Sequence, residues 1–418
     1  INSAPSRITI FDRCGEPAMF LEGKQTNFGM GTDLPKTRDL ETDELRPTTL
    51  KDVREVATVA DALPNIDFIG SNGLPSDVET NTMYIESFKA QIECSKKPIF
   101  FTAANEKDLG YILEMAEAIT GGKKELAARP FLIHYSEPTS PLTHSDGAVA
   151  KLMLCAERGV PVNYTPAVLS GASGPATIAG GIVQGNAEAL SGLVIHQLTR
   201  KGSPIITGTS VLPIDMRSTC ISYTAPQHKF AYTVIAAMYH YYNLPVWGTA
   251  GVSDSHILDE QTAFEHALTI YSAALEGSNL VHDIGFMGQG LVSSSAALVM
   301  CDEIISYVRT MLKGFEINDV TLALDIIEKV GPGGNYIGER HTYENFKRDM
   351  WEPKLANRLN PDNWVTAGSK TYKEKAVEKA IKILKEHNTI PLTTEVQEKI
   401  DKTCKRASES LKNEYLSA

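Results

Sequence analysis

Short apolar runs recur along the chain, each breaking off into small or polar residues and each followed by a stretch with helical character. They begin near Thr26, Ile66, Pro98, Phe131, Val160, Pro204, Pro245 and Leu280. In order they read TNFGMG, IDFIGS, PIFFTA, FLIHYS, VPVNYT, PIITGT, PVWGTA and LVHDIG. Eight strand-then-helix units of similar length predict an α/β fold, a (β/α)8 TIM barrel, whose functional groups lie where the strands end.

The intervening helices carry their own signals. Between Thr49 and Leu63 the apolar positions Val53, Val56, Val59, Ala60 and Leu63 follow a helical period. Ser145 and Asp146 open a helix that runs to Arg158, and Gly159 suits its C-terminal cap. The segment from Pro175 to Arg200 contains Gly180, Gly181, Gly185 and Gly192. Glycine weakens a helix interior, so this cluster predicts close approach to a neighbouring backbone. Helices over 226–242, 259–276 and 291–312 complete the last three units.

Flanking segments divide the chain further. Residues 1–25 contain RITIFD, a turn at Arg13-Cys14-Gly15-Glu16, and AMFLEG, the pattern of a β-hairpin that caps the barrel floor or meets another subunit. The barrel is expected over 26–315, with a long polar loop at 32–47 after the first strand. A C-terminal loop and helical extension, 316–418, is expected to pack on the barrel, with a structured loop over 331–346 and charged helices from Lys370 onward.

Bulk properties exclude several classes of function. Hydrophobic residues make up 42% of the 418 and charged residues 22%, ordinary values for a globular enzyme. A formal net charge of −11 disfavours nucleic acid and anionic membranes as partners. No apolar run approaches the roughly 20 residues that span a bilayer, and no signal peptide is visible. The six cysteines are scattered without a C-x-x-C pair, which points to reduced thiols and a cytoplasmic location. Nucleophile-elbow, zinc-protease, Walker and dinucleotide motifs are all missing. His134, His144, His240, His256, His266 and His282 show no metal-ligand spacing, so no protein-bound metal is expected.

The strand ends supply the candidates. Strand eight ends in His282-Asp283, strand seven in Trp247 with Asp254 just beyond, strand four in Tyr135, and strand one in Phe28. Rings around an apolar cavity suit a quaternary ammonium group, whose diffuse charge is attracted to aromatic faces. Tyr135 and Tyr164 read equally well as barrel-layer residues with satisfied hydroxyls.

Beyond these physical signals, GASGPATIAG (171–180), NAEALSGLVIHQL (186–198), SDSHILDEQTAFEHAL (253–268) and VGPGGNYI (330–337), with His341-Thr342, resemble the trimethylamine methyltransferase superfamily. The resemblance runs from about Ala4 to Asp362. With only standard residues present, the chain is similar to the non-pyrrolysine branch, and its opening and LVHDIGFM segments look most like the glycine betaine type. That resemblance implies a methyltransferase that moves an N-methyl group from a quaternary amine to cob(I)alamin, leaving dimethylglycine. The cobalamin is carried by a cognate corrinoid protein that docks at the C-terminal mouth of the barrel. Loops 32–47, 137–144 and 286–290 are expected to border the landing surface. By strand-end position, Phe28, Tyr135 and Trp247 are the expected ring faces, His282 the donor to the substrate carboxylate, and Asp254 and Asp283 either balance the ammonium charge or orient His282. No acid or base is needed, because a neutral tertiary amine is the leaving group. Proline betaine, carnitine and a non-catalytic betaine-binding barrel compete with this reading, and homo-oligomerisation stays open.

Overall fold

Eight strands close into a ring in the computed structural model, which describes the backbone of residues 1–415 and the side chains of residues 1–411. The first strand is Asn27–Phe28, and the second position is held by Phe68 and Ile69 through single bridges to Gly29 and Ile99. Then follow Ile99–Phe101, Leu132–Ser136, Val162–Tyr164, Ile205–Thr207, Trp247–Thr249 and Leu280–His282. All pairings are parallel, the Thr207–Val246 bridge joins the sixth strand to the seventh, and the eighth returns to the first. Every run identified from the sequence contributes to the ring.

Register decides which side chains enter the lumen, because paired residues in neighbouring strands share a face. Phe100 pairs with Ile133, Tyr135 with Asn163, Ile206 with Asn163, Trp247 with Leu280, and Thr249 with His282. Phe68, Phe100, Ile133, Ile206, Trp247 and Leu280 form one buried inner cluster, with Tyr135 packed against it. The alternate residues, Phe28, Phe101, Val162, Tyr164 and Val281, belong to the outer core between strands and helices.

The N-terminal hairpin closes the barrel floor. Ile8–Phe11 and Pro17–Leu21 pair antiparallel, and Gly15 turns between them at φ 88°. The hairpin's Ile8, Ile10, Met19 and Leu21 join the inner cluster. Asn279 fastens the connection to the first strand, its side-chain amide donating to the carbonyls of Glu22, Gly23 and Gln25.

Several expectations are corrected. Part of the polar segment 32–47 is strand: Lys36–Arg38 pairs with Leu45–Pro47 and with Val292–Ser293, a small sheet joining the loops after the first and eighth strands. The last barrel helix therefore starts at Ser295, after that strand. Helix Ile178–Thr199 is long and apolar enough, by length and composition, to cross a bilayer, although no such run was expected. Gly181 and Gly192 meet strand side chains rather than a backbone, Gly185 meets Thr209, and Gly180 meets Pro175 and Thr177. A Cβ on Gly192 would lie 2.4 Å from the Tyr164 ring, and one on Gly181 2.7 Å from Val211. Absence of a Cβ thus lets the helix sit low on the strands. The stretch 331–346, expected as loop, turns helical at Arg340–Asp349. Helices Tyr372–Glu386 and Thr394–Tyr415 lie against the barrel through Ala376, Ala380, Ile400 and Cys404. Residues 315–350 do not, and none of them is buried.

Candidate active site

Four rings meet at the C-terminal end of the lumen. The His282 imidazole lies 5.0 Å from the Trp247 ring, 5.1 Å from Phe100 and 5.8 Å from Tyr135, and Phe100 lies 5.3 Å from Tyr135. Alternation along four short strands aims them inward, and strand adjacency sets their spacing. Tilted contacts at these separations are favourable for aromatic pairs.

The polar atoms among these rings are underused. Trp247 Nε1 is buried without a hydrogen-bond partner among the described residues, as are Thr249 Oγ1 and Asn163 Oδ1. His282 Nδ1 lies 2.7 Å from Asp283 Oδ1, yet neither ring nitrogen makes an aligned hydrogen bond. The contact is one of proximity rather than of a directed N–H. Buried polar atoms left unpaired are costly, and the Trp247 and His282 nitrogens among them mark a place where a ligand's acceptors would be satisfied.

Backbone strain supports the same location. Asp283 adopts φ 76°, a left-handed conformation uncommon outside glycine, immediately after the strand ends. Gly31 makes room for it, since a Cβ there would stand 2.3 Å from Asp283 Oδ1 and 2.4 Å from the Phe286 ring.

Carboxylates rim the mouth. Tyr135 donates to Glu137 Oε2 at 2.9 Å. Glu137 is exposed on the mouth side although protein surrounds it more widely, so it is a recessed carboxyl rather than a sealed one. Desolvation raises its pKa, and the Tyr135 phenol is pushed well above its ordinary value by desolvation and then by Glu137. Asp33 accepts from Thr102 at 3.0 Å, and burial pushes its pKa up to about 6. Lys151 donates to the Ala103 carbonyl and faces Asp33 and Glu137, with its own pKa lowered by burial. On the opposite side Lys229 donates to the Thr249 carbonyl at 3.3 Å and lies 5.4 Å from the Tyr232 ring centre.

A family model described as trimethylamine methyltransferase matches residues 1–411. This chain belongs to the trimethylamine methyltransferase family. Over 418 aligned residues it is 32% identical to a trimethylamine methyltransferase of Desulfitobacterium hafniense (strain DSM 10664 / DCB-2), covering 99% of this chain and 83% of that one. It is 30% identical over 366 residues to a glycine betaine methyltransferase of Desulfitobacterium hafniense (strain Y51), covering 87% and 76%. Its fold is similar to the crystal structure of the Methanosarcina barkeri monomethylamine methyltransferase, with a TM-score of 0.52 at 13% identity over 93% of this chain and 79% of that one. Methyl transfer is the shared activity in all three names, so the chain is an enzyme of that class.

Within this family member, the residues expected at the site separate into two groups. Tyr135, Trp247, His282 and Asp283 come together at the mouth. Phe28 does not: its pairing with Val281 turns it outward, where it is buried against the helices 5.7 Å below the Arg309 guanidinium. The inward neighbour in that strand is Gly29, over which the Phe68 ring lies. Asp254 also stands apart. Its carboxylate accepts from Ser222 Oγ, Thr224 Oγ1 and the Tyr223 amide, fixing the loop that carries Tyr223. Tyr164 faces outward too, hydrogen-bonded to His144 at 2.8 Å.

Sequence reasoning missed Phe100 as a ring of the site. The run PIFFTA sets Ile99, Phe100 and Phe101 in succession, so alternation gave no hint of which phenylalanine enters the lumen. It also missed Asp33 and Lys151, whose proximity exists only across the closed ring.

Proposed function

We propose that this enzyme removes one N-methyl group from a quaternary amine bearing a carboxylate, with glycine betaine the best candidate, and passes it to cob(I)alamin of a separate corrinoid protein. The observation that carries the reading is the four-ring cluster with unpaired Trp247 and His282 nitrogens at its centre. Rings attract a quaternary ammonium through their faces, and the N–H groups of Trp247 and protonated or neutral His282 donate to a carboxylate. Trimethylamine has no carboxylate for those donors, and its protonated form has no acceptor at all. The glycine betaine enzyme among the relatives supports the same choice.

The chemistry asks little of the protein beyond position. The partner's corrinoid supplies the nucleophile when docked. Phe100, Tyr135 and Trp247 hold the trimethylammonium head, and His282 orients the carboxylate so that one methyl faces the open mouth. Glu137 and Asp283 balance the ammonium charge. As the methyl departs, the nitrogen becomes a neutral amine, so no residue has to deliver a proton. The mouth loops at 32–47, 137–144 and 286–290 form the docking surface in this reading. Loop 137–144 is held by Glu188, which accepts from Ser140 and the Leu142 amide. Six free thiols support a cytoplasmic setting.

Titration calorimetry with glycine betaine, proline betaine, carnitine and trimethylamine tests the substrate choice. Glycine betaine is expected to bind most tightly; equal or tighter binding of trimethylamine contradicts the role given to His282 and Trp247.

A further inference from the structure

The loop that leads from the sixth strand into helix Pro226–Tyr241 carries a ring outside the four-ring cluster, Tyr223. Half-buried, it packs on Leu34, Val252 and Phe286, which belong to the loops after the first, seventh and eighth strands. Its ring also lies on Gly290, where a Cβ would stand 2.9 Å from it. Tyr223 therefore reaches from the sixth strand's loop to the eighth's, across the end of the strand that holds Trp247. Phe286 shares the space beside Gly31 with the Asp283 carboxylate, so one path of contacts joins Tyr223 to the His282–Asp283 pair. Burial raises the phenol's pKa above its ordinary value, and the charges of Asp283, Glu137 and Asp254 add to the rise. The ring thus stands among the carboxyls that rim the mouth.

Its placement is fixed from two sides. Asp254 accepts from the Tyr223 amide and from the hydroxyls of Ser222 and Thr224 on either side of it. Glu265 holds Asp254 in turn, accepting from the Asp254 amide at 2.9 Å and from the Ser253 hydroxyl at 2.7 Å. From the helix, His228 Nδ1 donates to the Tyr223 carbonyl at 2.8 Å, and its ring stands edge-on to Tyr223 at 6.0 Å. A loop residue tied down in this way is preorganised, as a binding contact on a loop has to be.

We propose, on the quaternary-amine reading above, that Tyr223 is a fifth ring of the site, flanking the trimethylammonium head at the mouth, and that Asp254 is the positioning residue that sets it there. Trp247 and His282 engage the carboxylate end, which leaves the methylated head outermost, beside Glu137 and Asp283. A tyrosine face at that level adds attraction for a diffuse positive charge without competing for a hydrogen bond. Asp254 touches no substrate in this arrangement and acts only through the loop it holds.

Titration calorimetry of the full chain with glycine betaine and with tetramethylammonium tests this in Tyr223→Leu, Tyr223→Phe, Asp254→Ala and the Tyr223→Leu, Asp254→Ala double variant. Leucine fills the contacts with Leu34, Val252 and Phe286 but has no ring face. Tyr223→Leu is expected to weaken both cations about 3–30-fold, and Tyr223→Phe to stay within about twofold of the wild type. Asp254→Ala is expected to weaken both cations too, yet to cost nothing further once Tyr223 is leucine. Unchanged affinity in Tyr223→Leu overturns the proposal, as does a loss in Tyr223→Phe equal to that in Tyr223→Leu. Losses at Tyr223 and Asp254 that multiply in the double variant overturn the positioning role. All three leave the quaternary-amine reading standing, whereas a wild type that binds neither cation overturns that reading and this proposal with it.

Discussion

His282 Nδ1 stands 2.7 Å from Asp283 Oδ1, and Asp283 holds that place from a left-handed backbone at φ 76°. Two adjacent residues at a strand end normally point to opposite faces. The unusual dihedral brings the second carboxylate back onto the first ring, at a conformational cost of about 1–3 kcal/mol. Spent at the centre of the ring cluster, that strain fits a site shaped to hold His282 rather than one optimised for stability.

Replacing His282 with Ala removes the proposed carboxylate donor. Hydrogen bonds to charged groups contribute about 1.5–3 kcal/mol, so affinity for glycine betaine is expected to fall about 10–100-fold. Calorimetry of the variant measures this directly. Unchanged affinity means the carboxylate is held elsewhere.

Trp247→Phe separates the two functions assigned to one side chain, keeping a ring face and deleting Nε1–H. Glycine betaine binding is expected to weaken, whereas tetramethylammonium, which has no carboxylate, should bind as before. Parallel loss for both ligands would show that only the indole's bulk matters.

Gly31→Ala places a methyl where Asp283 and Phe286 now stand. Turnover is expected to drop at least about 10-fold through displacement of the His282–Asp283 pair. Restoring space by adding Phe286→Leu should recover part of the loss, which steady-state kinetics of the two variants would reveal.

The barrel was legible in the sequence because its strands are short apolar runs between turn residues. The site was half legible. Trp247 and His282 stand out because each is a polar-tipped ring at a strand end, a placement that pattern alone locates. Phe28 was misplaced by one residue of register. Its strand offers Asn27, Phe28 and Gly29 in sequence, and nothing local reveals that the glycine, not the ring, faces the lumen so that Phe68 has room. Asp254 looked like a site charge, but three donors from residues 222–224 already engage it, a contact across 30 or more positions. The absence of buried residues over 315–350 was invisible because helical periodicity reports an apolar face without naming what covers it.

Asp33 predicts a pH dependence of stability. Burial raises its pKa from 3.8 to about 6 in the folded chain. Between about pH 4 and 6 the folded state therefore binds a proton that the unfolded state has lost, and stability falls as pH rises through that window. Asp33→Asn keeps an acceptor for Thr102 and tolerates the φ of 67°. The variant is expected to melt higher than the wild type at pH 7, by on the order of 2 °C, with the difference vanishing below about pH 4. Thermal melts across pH would show it, and a constant offset at every pH would contradict the burial argument.

The most direct measurement is an anaerobic absorbance assay with free cob(I)alamin or the reduced corrinoid protein and a panel of methylated amines. With glycine betaine, the cob(I)alamin band should decay into that of methylcobalamin as dimethylglycine accumulates in equal amount. Tetramethylammonium and trimethylamine should react far more slowly. No methylcobalamin from any betaine, or a faster reaction with trimethylamine, would contradict the account.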